Sequence, residues 1–102
     1  MRPPLVKLLP ELQQESRAYL ELFASVELKP DIVRIKIFEA AKLGHTSLRL
    51  PIPTHLDVRM TAAAIALAEW CKQSDLGLTW ESRTGDTSDG RRMTTYEPEI
   101  SW

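Results

Sequence analysis

A single cysteine, Cys71, stands in a chain of 102 residues. No internal disulfide framework can therefore hold the fold together, and one lone thiol fits a reducing compartment. Charge of one sign is lacking too: the formal net charge is -1, which offers no long-range field to draw in DNA or RNA. No stretch approaches the roughly 18–20 apolar residues that span a bilayer. The longest apolar run, Ala62–Trp70, carries Glu69. The N-terminal Met1-Arg2-Pro3-Pro4 is followed by an apolar stretch broken by Lys7, Pro10 and Glu11, which is not the pattern of a signal peptide. The expectation is a protein that stays in the cytoplasm where it is made.

Chemistry-bearing constellations are also scarce. His45, His55 and Cys71 are widely spaced, whereas zinc needs tight ligand pairs converging at about 2.0–2.3 Å. Asp86-Thr87-Ser88-Asp89-Gly90 has the flavour of a calcium loop. Counted from Asp86, however, Arg91 occupies the sixth position, where the sharp turn needs glycine. No glycine-rich phosphate loop occurs. Cys71 beside Trp70 reads as a buried, inert thiol rather than an activated nucleophile. The expectations are therefore no catalytic set, no metal and no cofactor.

What is present is an ordinary globular composition, with 43 % hydrophobic and 26 % charged residues, long enough for one domain spanning 1–102 and too short for two cores. Residues 1–10 are rich in proline. Leu5, Val6, Leu8 and Leu9 are too apolar for a free tail and are expected to pack on the domain or on a second subunit. From Glu11 the pattern is helical, with Leu12, Tyr19, Leu20, Phe23 and Val26 forming one stripe. A second helix is expected over Asp31–Leu43, stopped by Gly44. Its apolar line is Ile32, Ile35, Phe38 and Ala41, widened by Val33 and Ile37. A short strand follows at Thr46–Leu50, ended by Pro51 and Pro53.

Thr54 is expected to open a third helix, with Asp57 completing an approximate capping box. Its buried stripe would be Leu56, Met60, Ala63, Leu67 and Trp70. Leu78–Arg83 alternates as a strand with one buried face. Thr84–Gly90 reads as a polar tip, and Arg92–Tyr96 returns toward Trp102. Pro98 suggests an edge strand or a bulge there. The fold class is thus α+β: three helices packed on a small, three-stranded, mainly antiparallel sheet, in the order α-α-β-α-β-β.

The candidate binding residues lie at the hairpin. Arg83, Arg91 and Arg92 flank the tip and could grip phosphates or acidic groups, since arginine offers planar bidentate hydrogen bonds. Glu81, Asp86 and Asp89 would neutralise much of that field, so a protein partner is favoured over nucleic acid. Tyr96 is the expected aromatic anchor, because Trp, Tyr and Arg dominate binding energy at interfaces. Trp80 and Trp102 are first of all core residues.

The segment Ile32–Trp102 combines a helix ending Ala40-Ala41-Lys42-Leu43-Gly44, a strand opened by Thr46-Ser47, a helix closed by Asp75-Leu76-Gly77, and a terminal Ile100-Ser101-Trp102. It resembles the small helix–strand–helix–hairpin proteins of tailed bacteriophages, where an Ala-Ala-x-x-Gly helix end and a terminal Ile-Ser-Trp recur. The chain departs from that pattern by an extra N-terminal helix and a longer, polar hairpin tip. The resemblance implies a phage or prophage origin and carries over no active residue. The expected role is an accessory protein, not an enzyme, that binds a host or phage protein in the host cytoplasm, such as an antiviral-defence factor. The alternative is a minor virion component. Self-association as a homodimer through helical or N-terminal apolar surface, Leu5, Val6, Leu8 and Leu9 included, is also expected.

Overall fold

The computed structural model describes residues 8–102. The expectations for Leu5 and Val6 lie outside this range. Three helices, α1 (Leu8–Glu27), α2 (Pro30–Lys42) and α3 (Ala62–Gln73), accompany three strands, β1 (Ser47–Arg49), β2 (Gly77–Asp86) and β3 (Arg92–Ser101). The fold is α+β in the expected element order. All strand pairs are antiparallel, and the sheet order is β1-β3-β2.

Helix α1 starts three residues earlier than the proline content suggested. Pro10 falls in the first turn, where backbone N–H groups have no intrahelical partner to lose. Leu28 and Lys29 separate α1 from α2, and Pro30 begins α2 at a position where its fixed φ suits the helix. At the end of α2, Gly44 takes a φ of 87°. Its N–H donates to the Ala41 carbonyl and that of His45 to the Ala40 carbonyl, a Schellman closure. Helix α3 closes in the same way, with Asp75 in the left-handed position at φ 58°. There the Asp75 and Leu76 N–H groups donate to the Lys72 and Cys71 carbonyls.

The third helix does not begin at Thr54. Residues 50–61 run as an irregular segment, and Thr61 caps α3 by accepting from the Ala64 N–H at 3.2 Å. The carboxylate of Glu21 on α1 accepts from the Ala62 N–H at 3.1 Å, placing a negative charge at the positive end of α3. Leu50, Ile52, Leu56 and Val58 are all buried, while Met60 is 76 % exposed. The pairs Leu50/Ile52 and Leu56/Val58 follow a period of two, the mark of extended chain. Pro51 and Pro53 enforce it by disfavouring helix at the residues before them.

Strand β3 is central, not an edge. Pro98 lies opposite Trp80 on β2, and its carbonyl accepts from the Leu50 N–H on the β1 side. In an antiparallel strand a residue's N–H and C=O point the same way. The N–H that Pro98 lacks would therefore face the β1 edge, where that strand has already ended, and the β2–β3 ladder loses nothing. The hairpin turn is also tighter than expected: pairing continues to Asp86↔Arg92, and Thr87–Arg91 forms the tip.

The core joins Leu28, Val33, Ile52, Val58, Leu67 and Ile100, each at most 2 % exposed. Trp80 is partly buried and packs against it. The molecule is elongated, with a radius of gyration of 16.7 Å and a longest extent of 62 Å, against about 13 Å expected for a compact domain of this length. The first part of α1, Leu8 through Tyr19, is exposed at every residue.

Candidate protein-binding surfaces

The sheet register separates the residues singled out at the hairpin. Arg83 lies opposite Thr95, and Arg92 opposite Asp86. Side chains alternate between faces along a strand, so Arg83 shares one face with Glu81 and Glu97, while Arg92 shares the other with Ser82 and Tyr96. Arg83 is committed within the domain. Its Nη2 donates to the Ile52 carbonyl at 2.8 Å, and its Nε lies 3.4 Å from the Glu97 carboxylate. Glu97 is 5 % exposed and also accepts from the Ile52 N–H at 3.0 Å. This pair clamps the irregular 50–58 segment to β3.

Tyr96 is covered by Arg59, whose guanidinium carbon sits 3.6 Å from the ring centroid. Asp57 holds that guanidinium with two hydrogen bonds at 2.9 and 2.8 Å. The hydrogen bond from Arg59 keeps the Asp57 carboxyl below its ordinary range, partly offset by desolvation.

Arg91 and Arg92 are the exposed members of the set, with side chains 81 % and 79 % accessible. Each is opposed by an acid: Arg91 pairs with Asp89 at 3.2 Å, and Arg92 lies 3.9 Å from Asp86. Thr87 donates a hydrogen bond to Asp89, and this bond lowers the Asp89 pKa. The tip is thus a closed local network with little net field.

Elsewhere, His45 and His55 are exposed. Cys71 is 1 % exposed, and burial raises its pKa. Among the described residues no cluster of His, Cys, Asp or Glu could hold a metal ion, and no buried side-chain polar atom lacks a partner. No helix of the described residues is long and apolar enough to cross a membrane.

The surface is unusual for its apolar side chains. On α2 the buried residues are Val33 and Ala40, with Ile37 packed against the core. A 3.6-residue repeat places Ile35 and Phe38 on the opposite side, where they are 58 % and 53 % exposed. The line Ile32–Ile35–Phe38, expected to be buried, is the outer face. Arg34 sits over Phe38 at 5.4 Å, and Asp31, Glu39 and Lys42 border the same outer face of the helix.

Helix α1 carries two apolar stripes, not one. Leu20, Phe23 and Ala24 face the core. Leu12, Tyr19 and Val26, expected on that same stripe, are 53 %, 56 % and 57 % exposed and stand on the outer side with Leu8 and Leu22. The signal that separates them is spacing: the outer set recurs every three and four residues as a 3.5 repeat. No protein-family model, curated protein or solved structure matches the chain.

Proposed function

We propose that this protein acts by binding another protein, and that the outer face of α2 is the contact surface. The observation that carries this reading is the orientation of Ile35 and Phe38. Both stand more than half exposed on the face opposite the one that packs the core. Isolated exposed leucines need no explanation, but a rigid helical face with a central aromatic flanked by Arg34 and Lys42 has the composition of an interface hot spot. The buried polar groups are already satisfied within the described residues, which favours recognition over a site that awaits a small polar ligand.

The likeness of Ile32–Trp102 to small phage proteins supports an accessory role for a phage or prophage, with a host or antiviral-defence factor as the target. A minor virion component is the rival, and abundance in purified particles separates the two. The test of the surface is affinity capture from host lysate followed by mass spectrometry, comparing the parent chain with Phe38→Asp. Loss of one captured protein by Phe38→Asp, with an unchanged circular dichroism spectrum, is the expected result. Equal capture by both chains would overturn the assignment of α2.

A further inference from the structure

The outer stripe of α1 lies on a different helix from the face just assigned, and it has its own geometry. Leu8, Leu12, Glu15, Tyr19, Leu22 and Val26 are separated by four, three, four, three and four residues. That is an unbroken a/d heptad seam. The five apolar members are 50–64 % exposed. The core-facing residues Leu20 and Ala24 lie roughly 100–160° around the helix from the seam's centre, at 100° per residue. The apolar seam members themselves stay at least half exposed, while Phe23 packs on the core from one flank of the seam and Glu15 and Tyr19 border a cavity shared with His55, Leu56 and Asp57.

We infer that a second copy of this chain occupies the seam, its α1 running antiparallel. Pairing residues whose numbers sum to 34 makes the seam complementary to itself: Leu8 meets Val26, Leu12 meets Leu22, and Glu15 meets Tyr19 of the other copy. The pairing is reciprocal, as a two-fold axis requires. Ser16 and Ala18 flank the seam and meet their own counterparts near the axis, where small side chains let the helices approach closely.

The polar member decides the direction. A parallel, in-register pair would press Glu15 against its own counterpart, placing two carboxylates together in a desolvated layer. The antiparallel register instead offers each Glu15 the phenolic O–H of Tyr19 as a donor. The exposure of all residues from Leu8 to Tyr19 leaves room for the second domain, which in this arrangement sits beside that half of the helix. A helix pair with a dozen residues a side buries on the order of 1,000 Å², the lower limit for a specific interface. An interface at that limit belongs to the weak, transient class.

Sedimentation equilibrium of the full chain from about 1 to 200 μM should show a shift from monomer to dimer mass within that range. Leu12→Glu with Leu22→Glu should weaken the association at least tenfold and leave the circular dichroism spectrum unchanged, since both side chains are exposed. Cysteine placement reads the register. With a short thiol cross-linker, Ala18→Cys alone should give covalent dimer, Leu12→Cys alone should not, and a chain carrying both Leu12→Cys and Leu22→Cys should. A strict monomer at the highest concentration overturns the inference, as does a dimer that survives the double glutamate variant. Cross-linking of Leu12→Cys to itself with none from Ala18→Cys would show a parallel seam and overturn the register.

Discussion

The Arg59 guanidinium sits over the Tyr96 ring, 3.6 Å from its centroid, and Asp57 grips the same guanidinium through its Nε and Nη2 hydrogens. This stack ties the segment leading into α3 to the face of β3, and it occupies the aromatic that the hairpin would otherwise offer to a partner. The pH dependence follows from the sign of the Asp57 shift. Its carboxyl is lowered by the hydrogen bond from Arg59. A folded value below the unfolded one contributes stability that is present above the unfolded value and is lost as pH falls through the folded one. Between about pH 5 and pH 2 the parent should lose stability that Asp57→Asn does not. Equal acid sensitivity of the two chains in thermal melts would count against the stack.

Glu97 is buried with Arg83 and the Ile52 N–H as partners. Glu97→Ala leaves the Ile52 N–H without an acceptor and the guanidinium without its carboxylate. The half-exposed Arg83 can regain water, so the loss should be about 2–3 kcal/mol, short of a fully buried pair. Urea denaturation measures it. A change below about 0.5 kcal/mol would place the 50–58 segment under other control.

Phe38→Ala should cost no more than about 1 kcal/mol, because the side chain is 53 % exposed and little apolar area returns to water. Leu67→Ala, at a residue that is 0 % exposed, should cost about 2–5 kcal/mol. The contrast between the two in one denaturation series separates a side chain on the outer face of α2 from one in the shared core. It also corrects the expectation that Phe38 is a core residue.

Asp75 holds a left-handed conformation at the end of α3, with φ 58°. Glycine adopts this region without the clash that a Cβ brings. Asp75→Gly should therefore raise stability, by about 0.5–1 kcal/mol, through relief of the α3 terminus. Thermal melting reports it, and a fall in melting temperature would mean that the Asp75 side chain does more than tolerate the turn.

Charge reversal of Arg91 and Arg92 together should leave the melting temperature nearly unchanged, since both side chains are about four-fifths exposed. If the hairpin assists partner capture, association should slow and lose salt dependence. Unchanged association kinetics with a captured partner would confine the contact to α2.

Element types and their order were legible because they depend on local chemistry. Pro30, Gly44 and the alternation in Leu78–Arg83 act through φ preferences and side-chain period, which a single chain carries without its neighbours. The segment 50–61 was misread where two periods overlap: Leu56 and Met60 fit a helix, whereas Leu50, Ile52, Leu56 and Val58 fit extended chain. Burial of the second set decided the matter. Only the tertiary structure could say which of two apolar faces on α1 and α2 packs inward, because the hydrophobic effect has no direction and periodicity marks a face without naming its partner. The same holds for the arginines. Sequence placed Arg83, Arg91 and Arg92 at one hairpin, but the register put Arg83 and Arg92 on opposite faces, and the buried carboxylate of Glu97 took Arg83 into the scaffold.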